Sequence, residues 1–250
     1  MKHVWFRHVL CSGLFGSLLA TAGWAIASGL QVAPTTLSLK ASQNADGLWL
    51  SNTGDSVVHA QVRVYHWTQN SQGDQLVPST GLVISPPMLQ LAIGDRQLIR
   101  VIRVGAPPNG AGAVEDAYRL AIDELPIDAQ GKRGLQFVLH YSLPIFVEPA
   151  GAAGAPPQLQ WSLQRNGEHV MLQVSNHGDR HAQLAGLSYI DGTGHRTDLT
   201  PGLLGYVLPG ATMRWMLKPS AAVFAGGGTL EAMINGEKAM QNLSLADRSH

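Results

Sequence analysis

Thiol chemistry is almost missing from this sequence. Its 250 residues include one cysteine, Cys11. One thiol excludes an intramolecular disulfide and a Cys-based metal site, and the residue before it, Leu10, is not the small residue that a lipoprotein site requires. Charge is scarce too: 14% of residues are charged, and 17 basic side chains balance 17 acidic ones. That balance excludes the basic surface on which nucleic-acid binding depends. Long apolar runs are also lacking. Val9 to Ala22 carries no charge, but it is shorter than the ~20 residues of a membrane span and no stop-transfer segment follows. Lys2 and Arg7 flank it on one side and Ala25-Ile26-Ala27 on the other. Residues 1–27 therefore read as a secretory signal cleaved before Ser28.

Catalytic signatures are equally sparse. The chain contains no H-E-x-x-H, no P-loop and no G-x-S-x-G. His177 and His181 flank a turn, where the four-residue spacing does not converge on a metal as it would on a helix, so both read as exposed turn histidines. Gly226-Gly227-Gly228 lacks the Lys-Ser/Thr of a phosphate cradle. Asp123 and Glu124 are neighbours on a strand and point to opposite faces, so they do not form an acid/base pair. Trp49, Trp67, Trp161 and Trp215 are spread over both halves and are expected in cores rather than on a sugar platform. No enzyme, no cofactor and no metal centre is expected.

What is abundant is glycine, 28 residues, and proline, 14, together with period-2 alternation. Gln61 to Trp67 puts Val62, Val64 and His66 on one face and Arg63, Tyr65 and Trp67 on the other. Leu98, Arg100, Ile102 and Val104 share a face, and Tyr118 to Ile122 is a further strand. Strands are also expected at Leu37–Leu39, Leu48–Leu50, Leu159–Leu163, Val170–Val174, Ala182–Tyr189, Thr212–Leu217, Leu230–Asn235 and Ala239–Leu245. Short strands with turn signals every ~8–12 residues indicate β-sandwiches. Pro149 to Pro157 contains no large side chain and reads as a connection. The halves on either side of it echo each other. Leu50-Ser51-Asn52-Thr53-Gly54-Asp55 precedes His59-Ala60-Gln61, and Val174-Ser175-Asn176-His177-Gly178-Asp179 precedes His181-Ala182-Gln183. Gly94 before Leu98 and Gly210 before Met213 repeat the pattern. The expected architecture is all-β, two tandem sandwiches: residues 28–149, a linker over 150–157, and residues 158–250.

The segment Leu135 to Val147 stands out. Leu135, Phe137, Leu139, Tyr141 and Leu143 place large apolar groups on one face. A strand that comes last in its domain is expected at a sheet edge, and Pro144, which lacks a ladder donor, suits an edge. A long apolar edge is an aggregation hazard unless a partner covers it.

The ordered set Leu50-Ser51-Asn52-Thr53-Gly54, Ala60 to Val64, Ser85-Pro86-Pro87, Leu91-Ala92-Ile93-Gly94, Arg100-Val101, Tyr118 to Pro126 and Leu135 to Pro149 resembles the periplasmic pilus-assembly chaperones of the chaperone–usher pathway, the PapD-like family. The resemblance implies two immunoglobulin-like domains in an L-shaped arrangement. It also implies donation of the first domain's last strand to an incomplete subunit. Leu135, Phe137 and Leu139 match the residues that fill the subunit groove, and Tyr141 extends the row. The implied partners are pilus or fimbrial subunits and an outer-membrane usher, reached without ATP in the periplasm, with a self-capping homodimer as another occupant of the strand. The family anchors the subunit's C-terminal carboxylate with an Arg on the first strand and a Lys on the last. Those positions hold Thr36 and Pro144 here, which points toward the archaic, spore-coat-like branch. Arg100, Arg103, Arg119 and His140 are the substitute anchors. The family's Arg that pairs with the residue matched by Glu124 is replaced by Glu148. The competing function class is a structural or adhesive cell-surface immunoglobulin-like module.

Overall fold

The computed structural model describes residues 29–126, 137–151 and 155–246. The expected signal segment and Leu135 lie outside the described residues. In chain order the first strands are β1 (Leu30–Ala33), β2 (Leu37–Leu39), β3 (Ala45–Asn52), β4 (Val58–Asn70), β5 (Gly73–Pro78) and β6 (Leu82–Ser85). They are followed by β7 (Met88–Leu91), β8 (Arg96–Arg103), β9 (Asp116–Leu125) and β10 (His140–Val147). After these come β11 (Leu159–Asn166), β12 (His169–Asn176), β13 (Ala182–Asp191), β14 (Arg196–Val207) and β15 (Thr212–Ser220). A short 3-10 turn, Ala221–Phe224, leads to β16 (Gly228–Ile234), β17 (Glu237–Leu243) and β18 (Leu245–Ala246).

The strands form two sandwiches, and no strand of the first set pairs with one of the second. In the first, the sheet β1-β3-β8-β6 faces the sheet β2-β10-β9-β4-β5, with β7 paired to β4. In the second, β15-β12-β11-β18 faces β14-β13-β16-β17. Alternation along each strand builds the cores. Leu48 and Leu50, Ile99 and Val101, Leu120 and Ile122, and Ile145 all point inward between the first two sheets and are buried.

The second core is not made by its own strands alone. Trp67 of β4, Ala117 of β9 and Phe146 of β10 leave the first sandwich on its outer face and join the apolar cluster of the second. Polar ties flank this seam. Gln69 Nε2 donates to the Tyr206 carbonyl at 3.0 Å, and the Leu208 amide donates to Gln69 Oε1 at 2.9 Å. The Glu115 carboxylate accepts from the His181 backbone at 2.8 Å and shares a 2.7 Å contact with its ring Nδ1.

Several expectations need correction. The tryptophans do not all lie in cores: Trp67 is fully buried and Trp161 and Trp215 pack against the second core. Trp49 instead lies on the outer face beneath Arg96, whose guanidinium sits 4.0 Å from the ring centroid. His181 is not an exposed turn residue. Its ring stacks face to face on Phe146, the centroids 3.5 Å apart and the planes nearly parallel. The strand expected over Ala239–Leu245 is two strands in different sheets, because β17 pairs with β16 while β18 pairs with β11. The alternating strand expected to start at Leu135 begins at His140 among the described residues, with residues 137–139 outside regular pairing.

Candidate functional site

The outer face of the sheet containing β10 is the surface on which the chemistry collects. Because Val62, Leu120, Ile122 and Ile145 point inward, the intervening residues point outward. They are Arg63, Tyr65 and Trp67 on β4, Arg119, Ala121 and Asp123 on β9, and His140, Ser142, Pro144 and Phe146 on β10.

β10 is half an edge. Its C-terminal part, Ile145–Val147, pairs in parallel with Leu37–Leu39 of β2, whereas its whole length pairs with β9. Among the described residues, the segment His140–Pro144 therefore has one side of its ladder open. The Glu124 amide donates to the Leu139 carbonyl and the Glu148 amide to the Leu39 carbonyl. With uninterrupted antiparallel register between these points, the backbone groups of His140 and Ser142 point to the open side. Pro144 falls at an outward position too, where its missing N–H leaves no ladder bond with β9 unmade.

The apolar row climbs out of the core along this strand. Leu143 is buried, Tyr141 and Leu139 are half-buried against the first core, and Phe137 is 71% exposed. Tyr141 is turned inward: its hydroxyl donates to the Leu30 carbonyl, and burial, aided by the charge of Glu124, raises its pKa. Glu124 holds the start of the row, its carboxylate accepting from the Leu139 amide at 3.0 Å. Glu148, which replaces the family's arginine, instead faces Arg180 of the second sandwich at 3.6 Å.

The four substitute anchors separate cleanly. Arg100 lies on the outer face of the opposite sheet, between Gly47 and Ser85. Arg103 holds the turn before β3, donating to the Ala41 carbonyl and to Asn44 Oδ1. His140 is engaged with Asp123, which also accepts from Arg63 at 2.6 Å. Burial acts to raise the Asp123 carboxyl, but the hydrogen bonds from Arg63 and His140 outweigh it and hold the group below the ordinary carboxylate range.

Arg119 differs from the other three. It sits beside Pro144 in the β9–β10 register. Its guanidinium lies 3.7 Å from the centroid of the Trp67 ring and 4.9 Å from that of Tyr206. Burial lowers its pKa, while the nearby Asp74 carboxylate acts in the opposite direction. An arginine remains cationic under such a shift. Among the described residues its guanidinium makes no hydrogen bond and no ion pair.

Thr36, the other family anchor position, lines a cleft of about 270 Å³ with Phe146, His181, Gln183, Tyr206 and Asn235. It carries no charge; Tyr206, which lines the same cleft, has the Arg119 guanidinium 4.9 Å from its ring centroid. Sequence patterns did not single out Tyr206 or Glu115, because β14 breaks its alternation at Pro201, Gly202 and Gly205 and Glu115 precedes its strand. Among the described residues no group of three or more His, Cys, Asp or Glu could hold a metal ion.

Comparison with known proteins agrees with this geometry. A family model described as pili and flagellar-assembly chaperone, PapD N-terminal domain, matches residues 29–153. No curated protein sequence matches the chain. Among solved structures, a chain of the CsuC–CsuE chaperone–tip adhesion subunit pre-assembly complex, from the archaic chaperone–usher Csu pili of Acinetobacter baumannii, is similar with a TM-score of 0.67 and 23% identity over 87% of this chain and 99% of that one. A chain of the Salmonella enterica complex of SafA pilin with the SafB chaperone has a TM-score of 0.60 and 17% identity, over 87% and 97%. The Escherichia coli chaperone DraB has a TM-score of 0.56 and 18% identity, over 88% and 97%. At these identities the structural likenesses carry the fold.

Proposed function

The chain belongs to the family of pili and flagellar-assembly chaperones, and on that premise we propose that it captures pilus or fimbrial subunits in the periplasm by lending them β10 and hands them to an outer-membrane usher. The observation that carries this reading is the half-open strand: His140–Pro144 has an unpaired ladder side, and the row from Leu139 to Phe137 emerges beside it. An incoming strand gains backbone hydrogen bonds along that side and a place for the apolar row. Burying each large apolar side chain is worth about 1.5–3 kcal/mol. Leu135 continues the row in the reading, and Tyr141 supports it from the sandwich side. The subunit's C-terminal carboxylate meets Arg119, which takes the part of the missing basic pair. The reading assigns residues 28–149 to subunit binding, 150–157 to a linker and 158–250 to the second sandwich, set in an L shape.

Phe137→Asp tests strand lending. The residue is largely exposed, so the purified variant is expected to keep its thermal unfolding midpoint. An aspartate carried into an apolar groove costs several kcal/mol, on the order of the unpaired-charge penalty. Subunit complexes recovered from periplasm should therefore fall to background. A variant that stays folded and still captures subunits normally, or one that loses its fold, sinks the reading.

A further inference from the structure

The stack around Arg119 joins two sandwiches that no strand pairing connects. Trp67 comes from β4 and Tyr206 from β14, and the two rings meet edge to face at 5.4 Å. Tyr206 is itself held in place: its hydroxyl accepts from Gln183 Nε2 at 2.8 Å and its carbonyl accepts from Gln69 Nε2. It is 7% exposed. A guanidinium is planar, and its N–H donors point outward in that plane. Trp67 and Tyr206, set nearly at right angles to each other, hold the guanidinium against an aromatic corner from two adjoining sides, and its N–H donors, which make no hydrogen bond among the described residues, are left for a bidentate carboxylate contact. Arg119 has a long flexible stem and, among the described residues, no hydrogen bond or ion pair to orient it. Beside the longer-range pull of Asp74, the two rings are the contacts that restrain it, and one of them belongs to the second sandwich.

We infer that Tyr206 is a positioning residue for subunit capture: the second sandwich, through this ring, sets the orientation in which Arg119 meets a terminal carboxylate. The inference rests on the reading of Arg119 as the anchor. It gives the second sandwich a specific part in recognition, selecting a free C-terminus over an uncharged one, without contact between Tyr206 and the ligand.

The test uses the full mature chain and a short synthetic peptide of alternating large apolar residues, made with a free C-terminal carboxylate and again as the C-terminal amide. The readout is the ratio of the two dissociation constants. The unaltered protein should prefer the acid by at least about tenfold, the scale of a hydrogen-bonded charge contact. Arg119→Gln should bring the ratio to near one. Tyr206→Leu should cut the preference several-fold while leaving amide binding unchanged. Tyr206→Phe, which keeps the ring, should retain the preference, and Tyr206→Leu should add nothing in the Arg119→Gln background. If circular dichroism shows Tyr206→Leu unfolded, Tyr206→Met takes its place. A folded Tyr206 variant with the full preference, or one that loses acid and amide binding equally, overturns the positioning role while leaving the anchor intact. An unaltered ratio in Arg119→Gln, or no preference in the unaltered protein, overturns the anchor reading and this inference with it.

Discussion

The two sandwiches share one corner and differ in what they leave open. In the first, the Asn52 side chain is buried and donates to the carbonyls of Ser56, Leu91 and Ala92 while accepting from the Gly54 amide. In the second, Asn176 donates to Arg180 and Val207 and accepts from Gly178. The Gly94 amide donates to the Asn52 carbonyl at 3.0 Å and the Gly210 amide to the Asn176 carbonyl at 2.9 Å. Both glycines have φ in the left-handed region, 81° and 71°. Even the close approach recurs, since a Cβ at Gly54 would meet Gly29 at 3.1 Å and one at Gly178 would meet Pro156 at 2.1 Å. The differences lie elsewhere. In the second sandwich Glu231 is held between Arg196 and Lys238, while Arg180 and His181 turn to Glu148 and Glu115 of the first. In the first, among the described residues, Arg119 has ring contacts and the nearby charge of Asp74 but no hydrogen bond, and half of β10 has one ladder side open. One scaffold is thus used twice, and the proposed binding face lies on the copy that carries β10 and Arg119.

Phe146→Ala strikes the comparison hardest, because this ring belongs to a strand of the first sandwich and is fully buried in the core of the second. Truncating a buried phenylalanine costs about 3–5 kcal/mol. Urea unfolding should resolve into two transitions, the second sandwich melting first; a single unshifted transition would mean that the seam does not couple the two. Somewhat smaller effects are expected from Asn52→Leu and Asn176→Leu. Each strands backbone carbonyls without a donor, at about 2–4 kcal/mol. Equal losses in the two sandwiches would confirm that the corners are equivalent. A cost confined to one of them would break the parallel.

The smallest effect is on pH. Hydrogen bonds from Lys238 and Arg196 hold Glu231 below its ordinary range, as those from Arg63 and His140 do for Asp123 against its burial. A carboxylate with a depressed folded-state pKa contributes stability above its unfolded value, about 4, and that contribution is lost as pH falls through the folded-state value. Asp123→Asn and Glu231→Gln should therefore each lower stability modestly near pH 7, with the deficit shrinking by about pH 3. Denaturant titrations at the two pH values check this. A deficit that persists in acid would locate the effect in packing rather than charge.

Much of the β architecture was legible because alternation at period 2 reports directly which residues face a core. Leu48, Val62, Ile99, Leu120 and Leu172 are all buried as that pattern requires. The repeated Asn-x-Gly signal was legible as well, since a buried amide that satisfies several carbonyls demands the same residues in the same order wherever the corner is built. β14 escaped notice because its register shifts against β13 scramble the alternation. Trp49 was misplaced because a large ring reads as core until the pleat shows which side it is on.

The order of apolar and turn residues by itself determined the strands, their doubling into two like halves and the family, since these depend on local geometry and short-range spacing. Only the tertiary structure decided which of four candidate cations reaches the second sandwich. Arg100, Arg103, Arg119 and His140 are equivalent as charges along a chain, but sheet order and strand parity send one to the far face, tie one to a turn and tie one to Asp123. Of the four, Arg119 alone is brought against the corner formed by two aromatic rings, Trp67 and Tyr206, from separate sandwiches. The physical reason is that charge recognition depends on distance and orientation in space, and neither is encoded by neighbours in sequence when the two rings that orient the cation come from separate strands in separate sandwiches.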